Sequence, residues 1–339
     1  MVRLHSGVCV GFAVLTLFAL ILSSPETVLS APDFQGKVIK IICGNEAGGG
    51  YDRLSRVLAK HLPKYIPGKP PVLVENMVGA DSMIAAGHLY NIAKADGLSI
   101  GNVNRALPFA QLLKAEGVRF DMRKFIWIGS ASVEPAILTI RTDLPYKTID
   151  DLRKAKDPVY MAGLGPAATD YQYPVLLKEF LGLNLKMVNY VSSAAGMLAV
   201  EKKEVDGKGG SYGSLKLYID RGVLRPLIRS RVSEPEIESL PVDETLTADK
   251  MGKTIMAMRS AVDLMGRPYI LPPGTPADVV ETLRDAFAKV LKDPEVQEEA
   301  NKIKMSVRYV TGDECMKMVN YVLTQPDDIV KEFSKYIKF

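Results

Sequence analysis

The chain has 339 residues, of which 47% are hydrophobic and 24% are charged, and this length exceeds what one hydrophobic core usually organises, so we expect two domains. Its formal net charge of +4 is a mild surplus that favours anionic solutes but lacks the clustered basic stripe that nucleic-acid binding requires. With three cysteines, three histidines and no Cys-x-x-Cys pair, the sequence predicts no metal site.

Residues 1–30 have the pattern of a secretory signal peptide. Arg3 and His5 precede an apolar run over 8–22, and small residues follow up to Ala31. At about 1.5 Å per residue the run spans roughly 23 Å, which is short for a bilayer core of about 30 Å. We therefore expect a cleaved signal and an exported protein, with an uncleaved membrane anchor as the alternative.

A glycine-rich loop follows the first predicted strand at 37–43. The sequence AGGGYD at 47–52 leads into a predicted helix over 51–65. Three glycines in a row permit positive φ and let backbone N–H groups face a ligand at the positive end of the helix. The loop therefore predicts binding of an oxyanion or a carboxylate, with a plain strand-to-helix turn as the alternative. No Lys-Ser or Lys-Thr follows at P-loop spacing, so a nucleotide site is not expected.

Short apolar strands alternate with amphipathic helices along the chain. The predicted strands lie at 37–43, 71–75, 98–102, 125–129, 136–141, 158–162, 186–190 and 224–229. This alternation predicts an α/β fold with parallel-leaning sheets and covering helices. Another helix is predicted over 169–181, with Thr169 as its cap. His61 lies on the apolar stripe of the helix over 51–65, so we interpret it as a partly buried structural residue.

Residues 209–213, Gly-Gly-Ser-Tyr-Gly, match the nucleophile elbow of serine hydrolases. The histidine of an α/β-hydrolase triad follows the serine, whereas all three histidines here precede Ser211, so this activity is disfavoured. We expect these small residues to form a turn, and we predict no catalytic residue and no cofactor. Cys43 and Cys315 lie in different predicted elements, and whether they pair as a disulfide stays open.

Six segments of the chain together carry a resemblance to a known family. They are KVIKII at 37–42, AGGGYD at 47–52 with Arg56 after it, VENMVGA at 74–80, ADG at 95–97, VLRPLI at 223–228 and LPPGTPADVVETLRDAF at 271–287. In this order, and over nearly the whole mature chain, the sequence resembles the receptors of tripartite tricarboxylate transporters, which are Bug-type periplasmic solute receptors.

The resemblance implies a two-lobe α/β fold of the periplasmic-binding-protein type (type II-like), with a ligand cleft between the lobes. The first lobe would be discontinuous, comprising 31–134 and 226–339, and the second would comprise 135–225. The implied protein is a monomeric receptor in the periplasm that captures a small organic carboxylate and delivers it to the large and small membrane subunits of a transporter. The alternatives are a ligand-sensing co-receptor for a membrane kinase and, less favoured, an exported hydrolase.

Three loops are expected to meet at this cleft, because each joins the carboxyl end of a strand to the amino end of a helix. They lie at 47–52, 76–82 and 163–169. By resemblance, the first two hold a ligand carboxylate through backbone N–H groups and ordered water, and the third closes over it. The expected ligand-binding residues are Gly48, Gly49, Gly50, Tyr51, Asp52, Gly79, Ala80, Asp81, Ser82, Asn104, Gly165, Thr169 and Tyr190.

Several of these polar residues allow two interpretations. Asp52 is expected to organise its loop and the helix terminus rather than to touch a like-charged ligand. Asp81 departs from the usual family pattern: it could cap a helix beginning at Ser82, or it could face a ligand ammonium, which would make the solute amphoteric. Asn104 could donate to a ligand oxygen or shape a turn, and Tyr190 could offer its hydroxyl or pack.

Overall fold

The computed structural model describes residues 1–2, 32–166 and 168–337. The predicted signal peptide therefore lies almost entirely outside the described residues. The chain divides into two compact units, 1–30 and 31–339, and the fold is that of the second unit. Within the described part of the chain, no helix is long and apolar enough to cross a membrane.

Two mixed sheets form the framework of the described residues. Their strands are β1 (Ile39–Cys43), β2 (Val72–Asn76), β3 (Ser99–Asn102), β4 (Ile126–Ser130), β5 (Ala136–Arg141), β6 (Val159–Gly163), β7 (Leu185–Asn189), β8 (Gly207–Ser211), β9 (Leu224–Arg229), β10 (Pro268–Leu271) and β11 (Val310–Thr311). Every strand predicted from the sequence is confirmed, whereas β8, β10 and β11 were not predicted.

Each sheet contains both parallel and antiparallel pairs of strands. The first sheet runs β11-β4-β10-β3-β1-β2, and the second runs β7-β6-β8-β5-β9. Strand β1 is parallel to β2 and β3, and β6 is parallel to β7 and β8. Strand β10 is antiparallel to β3 and β4, and β5 is antiparallel to β8 and β9. The predicted parallel character is therefore found in only part of each sheet.

Helices cover both sheets. They are α1 (Gly50–His61), α2 (Met83–Asn91), α3 (Leu107–Leu112), α4 (Ile149–Arg153), α5 (Thr169–Leu181), α6 (Ser193–Glu201), α7 (Tyr212–Asp220), α8 (Lys250–Ala261), α9 (Ala277–Val290), α10 (Pro294–Lys302), α11 (Gly312–Leu323) and α12 (Asp327–Tyr336). The predicted helices over 51–65 and 169–181 are confirmed, the first continuing as a 3-10 turn over Leu62–Tyr65. The predicted cap at Thr169 is wrong, because Thr169 is the first helical residue and Ala168 precedes it without a side-chain cap.

Each sheet is buried on both faces, and alternate side chains of its central strands enter different cores. Ile39 and Ile41 of β1 pack into one cluster and Ile42 into another. In the second sheet, Leu138 and Ile137 of β5 divide in the same way. This follows from the two-residue period of a strand. Loops follow the carboxyl ends of β1 and β6, outside these cores, and such loops can line a site.

Strand β8 replaces the turn that the sequence predicted at 209–213, and that prediction is wrong. A Cβ at Gly207 would lie 2.3 Å from the carbonyl oxygen of Thr139, and one at Gly209 would lie 2.7 Å from Pro174 Cγ. The glycines are therefore needed because β5 and α5 approach this strand closely. Residue Ser211 ends the strand, and α7 begins at the next residue.

Candidate functional site

A cavity of about 400 Å³ lies at the amino ends of several helices. The predicted loops at 47–52, 76–82 and 163–169 all contribute to its wall. Nine of the thirteen expected residues line it: Gly49, Gly50, Tyr51, Gly79, Ala80, Asp81, Asn104, Thr169 and Tyr190. The other four, Gly48, Asp52, Ser82 and Gly165, are not part of the lining.

The first loop is held in shape by the carboxylate of Asp52. Gly48 N donates to Asp52 Oδ2 at 2.8 Å, Arg56 forms an ion pair with Asp52 at 2.8 Å, and Asn76 Nδ2 donates to Asp52 Oδ1 at 2.9 Å. Burial acts to raise the pKa of Asp52, but these hydrogen bonds outweigh it and leave the pKa below its ordinary value. Asp52 thus joins the first loop to β2 and lies beneath the cavity wall.

The second loop takes a strained path that turns Asp81 toward the cavity. Ala80, Asp81 and Ser82 have φ of 44°, 49° and 76°, a left-handed run that non-glycine residues rarely adopt. Ser82 Oγ donates to the carbonyl of Gly44 at 3.0 Å and accepts from Asn45 Nδ2 at 3.3 Å, which fixes the end of this run. A Cβ at Gly44 would lie 2.5 Å from Ser82 Oγ, so this contact requires glycine there.

The interpretation of Asp81 as a helix cap is wrong. Helix α2 begins at Met83 and has Ser82 at its N-cap, with no side-chain cap hydrogen bond. The short 3-10 turn Ala80–Ser82 has no side-chain cap either. The side chain of Asp81 instead lines the cavity, where burial, Asp170 and Glu46 raise its pKa to about 6.

The opposite wall contains a buried ion pair that sequence reasoning missed. Lys208 of β8 bonds to Asp170 in the first turn of α5, and Leu164 N donates to Asp170 Oδ1 at 3.1 Å. Lys208 is 3% exposed, so its charge is desolvated and depends on this partner. The signal was weak because Lys208 lies in a glycine-rich strand without alternating apolar residues.

Further lining residues were not among the expected ligand-binding residues. Glu46 precedes the glycine loop, and Ser193, Ser211 and Ser214 lie at the starts of α6 and α7. Burial raises the pKa of Glu46, and Asp170 adds to this, while Ser193 N–H and Lys208 lower it. The four ionisable residues of the wall other than tyrosines are thus three carboxylates and one ammonium.

Helix N-termini supply the other electrostatic component. First-turn residues of α1, α5 and α6 line the cavity. Helix geometry leaves the first N–H groups without intrahelical acceptors, and in α1 the first bond runs from Arg53 N to Gly49 O at 2.9 Å. Each N-terminus carries about half a positive charge and attracts anions. The first N–H groups of α7 are already used, since Tyr212 N donates to the carbonyl of Pro135 and Gly213 N donates to Glu134 Oε2.

Two buried arginines support the floor of the site. Arg267 pairs with Glu134 at 2.9 Å and lies over the ring of Tyr51, 5.4 Å from its centroid. A Cβ at Gly50 would lie 2.7 Å from Arg267 Nη2, so Gly50 lets this guanidinium approach the start of α1. Arg105 pairs with Asp263 at 3.0 Å, and its backbone N–H donates to the Tyr51 hydroxyl at 3.2 Å.

The remaining sequence candidates have ordinary structural surroundings. Asn104 Oδ1 accepts from Ala106 N at 2.9 Å and shapes a turn while lining the cavity. His61 is 3% exposed, and its Nε2 lies 2.8 Å from Glu299 Oε2, as a structural histidine should. Neither His61 nor His88 lines the cavity with Ser211. Cys43 and Cys315 are both buried and free, so they do not pair.

Two α/β sheets with a cavity lined by loops from both define a two-lobe binding protein. The periplasmic binding protein BugD has the same fold, with a TM-score of 0.70 at 23% identity over 89% of this chain and 98% of that one. A Rhodopseudomonas palustris protein solved with adipate gives a TM-score of 0.72 at 17% identity, over 91% and 100% of the two chains. The two-lobe periplasmic-binding-protein fold is thereby confirmed.

Sequence comparison gives the family. The model for the tripartite tricarboxylate transporter family receptor matches residues 54–334, so the chain belongs to this family of solute-binding receptors, which is not a class of enzymes. A UPF0065 protein of Cupriavidus necator is 25% identical over 325 residues, covering 93% of this chain and 92% of that protein. The resemblance seen in the sequence is confirmed.

Proposed function

We propose that this protein is a periplasmic receptor that binds a small organic carboxylate in the cavity and delivers it to the membrane subunits of a tripartite tricarboxylate-type transporter. The observation that carries the proposal is the convergence of the N-termini of α1 and α5 on one cavity. The N-terminus of α6 also lines it, but there Ser193 N–H already donates to Glu46 and Ala195 N–H donates to Ser192 Oγ at 3.0 Å. Together the N-termini of α1 and α5 form an anion-binding site built from backbone, which needs no arginine at the ligand. The size of the cavity, about 400 Å³, is within the range of small-molecule sites.

The carboxylate is assigned to the start of α1. Gly49 and Gly50 line the cavity there without side chains, so a ligand oxygen can approach the first N–H groups of the helix. Tyr51, Gly79, Ala80 and Thr169 contribute further lining. In this role Gly48, Asp52 and Ser82 act by shaping the loops.

Binding would couple the two lobes, whose ranges we propose as 31–134 with 226–339 and 135–225. The cavity is lined from the loops after β1 and β2 and from the loops after β6 and β7. A ligand that contacts both walls favours the closed arrangement by its difference in affinity for the two states. Closure would then present a ligand-dependent surface to the transporter. We further propose that the protein is a monomer and that it is exported by means of a cleaved signal peptide at 1–30.

The test compares two glycine-to-alanine variants of the exported protein, freed of co-purified ligand by unfolding and refolding. Gly49 has φ of −71°, which alanine adopts readily, and it lines the cavity. A Cβ there would lie 3.2 Å from the carbonyl oxygen of Glu46, so thermal melting of the ligand-free variant must first show that the loop accommodates it. The added methyl group should separate a ligand carboxylate from the N–H groups and weaken binding about tenfold or more. Gly87→Ala in α2 is the control, since a Cβ there meets nothing within 4 Å.

Thermal shift and titration calorimetry against a panel of mono-, di- and tricarboxylates provide the readout. We expect wild type and Gly87→Ala to bind the same acid with similar affinity and Gly49→Ala to bind it more weakly. Equal affinity in all three proteins would show that the ligand carboxylate does not bind at the start of α1. No binding of any acid by refolded wild type would contradict the receptor function itself.

A further inference from the structure

We propose that the solute is amphoteric, with a protonated amino group beside its carboxylate, and that Asp81 and Glu46 receive the amino group. This inference rests on the proposed function and names the ligand class for the same cavity. It depends on where Asp81 is held, on which charges of the wall are already paired, and on the nearby N-terminus of α1.

The backbone places Asp81 inside the binding space. Its left-handed conformation and the hydrogen bonds of Ser82 hold the loop so that the carboxylate lines the cavity. A Cβ built on Gly165 would lie 4.0 Å from Asp81 Oδ2, so this carboxylate reaches toward the loop of the opposite wall. Left-handed geometry at consecutive non-glycine residues is unfavourable, and strain of this kind is concentrated at binding sites.

The charges of the wall are not balanced. Lys208 forms its ion pair with Asp170, which leaves Asp81 and Glu46 without an ion pair among the described residues. Asp170 and Glu46 both disfavour the charged form of Asp81. A purely anionic ligand would add negative charge beside these carboxylates, whereas an ammonium group would relieve their repulsion and form charge-assisted hydrogen bonds.

An anion site and a cation site therefore face the same cavity. The N-terminus of α1 begins a few residues after Glu46, so a carboxylate at Gly49 and Gly50 lies near the acidic pair. An α-amino acid carries its ammonium and its carboxylate on the same carbon atom and fits such an arrangement. The pKa of Asp81, raised to about 6 by burial and the neighbouring carboxylates, still leaves it ionised at pH 7 to 8, as an ion pair with an ammonium requires.

Matched ligand pairs that differ only by the amino group test the proposal. Suitable pairs are 2-aminoadipate with adipate, aspartate with succinate, and phenylalanine with 3-phenylpropionate, titrated calorimetrically into refolded protein at pH 7.5. We expect the amino acid of at least one pair to bind about tenfold tighter or more than its partner, a difference typical of one charged contact. Tighter or equal binding of the amine-free acid in every pair that binds would overturn the inference and leave the proposed function standing.

Variants then assign the preference to residues. Asp81→Asn should reduce the ratio of the two affinities to near one or below, and Glu46→Gln should move it in the same direction. Asp157→Asn removes an exposed carboxylate from the turn before β6 and should leave the ratio unchanged. Circular dichroism and thermal melting check that each variant is folded. An unchanged ratio in folded Asp81→Asn would contradict the assignment.

The pH dependence separates an ionised Asp81 from a protonated one. The groups that face Asp81 are Glu46, after β1, and Asp170, in α5 with its partner Lys208 in β8. If Asp81 receives an ammonium, affinity for the amino acid should fall about tenfold between pH 8 and pH 5 in wild type and less in Asp81→Asn. Affinity for the amino acid that instead stays constant or rises toward pH 5 in wild type would show that an ionised Asp81 does not receive the ammonium and would overturn the proposal. If an amine-free acid of the wider carboxylate panel binds while no member of any pair does, only this inference fails; if no acid of the panel and no member of any pair binds, the proposed function fails with it.

Discussion

At the scale of single residues, two aspartates near the same loops have opposite electrostatic surroundings. Asp52 is 2% exposed but receives hydrogen bonds from Gly48, Arg56 and Asn76, and its pKa is lowered. Asp81 is half-buried beside other carboxylates, and its pKa is raised to about 6. Hydrogen bonding to the charged form explains the first, and desolvation with like charges explains the second. Only the second carries uncompensated charge that a ligand can use.

The substitution Asp81→Asn should stabilise the ligand-free protein at pH 8. Because the folded pKa lies above the unfolded value of 3.8, the charged form of Asp81 costs stability above about pH 6 but not below about pH 4. We expect a gain of up to about 2 kcal/mol at pH 8, after allowing for solvent at the cavity, and none near pH 4. Urea unfolding at the two pH values measures it. A loss of stability at pH 8 would show that Asp81 is paired in the folded protein.

The substitution Asp52→Asn should have the opposite effect. Its lowered pKa means that Asp52 contributes stability above its unfolded pKa, and this contribution is lost as the pH falls through the folded pKa. The amide has one acceptor oxygen where the carboxylate has two, so some of the donors from Gly48, Arg56 and Asn76 would face an NH2 group, and the ion pair with Arg56 is lost. We expect a loss of about 1–3 kcal/mol at pH 7. Asp150→Asn is the control, since the Asp150 side chain is 69% exposed in its pair with Arg153, and should cost less than about 1 kcal/mol. Equal losses in urea unfolding would contradict this account.

At the scale of elements, the sequence predicts strands well where they are apolar. Strands β1, β5 and β6 were located because their buried side chains form short hydrophobic runs. Strand β8 was missed because its sequence is Gly-Lys-Gly-Gly-Ser, in which close packing by β5 and α5 replaces side-chain burial. Such contacts are tertiary, so no local pattern reveals them. Because β8 was not predicted, Lys208 and Ser211, which lie on it, were also missing from the predicted site.

The close packing of β8 predicts a large effect of one methyl group. In Gly207→Ala the Cβ would lie 2.3 Å from the Thr139 carbonyl oxygen, which is backbone and cannot rotate away. We expect a loss of about 2–3 kcal/mol and a lower melting temperature. Gly87→Ala, in open space within α2, should be neutral or stabilising by up to about 1 kcal/mol. Similar melting temperatures for the two variants would mean that β8 is not packed this closely.

At the scale of the whole molecule, the site is formed by loops from both sheets rather than by a single loop. Three loops were predicted to meet, and all three contribute to the cavity wall. The segment between β4 and β5 joins the sheets, and there Glu134 N donates to the carbonyl of Asp263 while its carboxylate pairs with Arg267. The sequence indicated the loops through glycine and strand ends, but the charges opposite them come from distant segments.

The most direct test of the account is a crystal structure of the exported protein with the solute that binds it most tightly. We predict density for one solute molecule in the cavity, with a carboxylate oxygen at hydrogen-bond distance from the N–H groups of Gly50 or Tyr51. An amino group of that solute should lie against Asp81. A solute bound elsewhere, or bound in the cavity with its carboxylate away from the start of α1, would contradict the central claim that this helix terminus holds the anion.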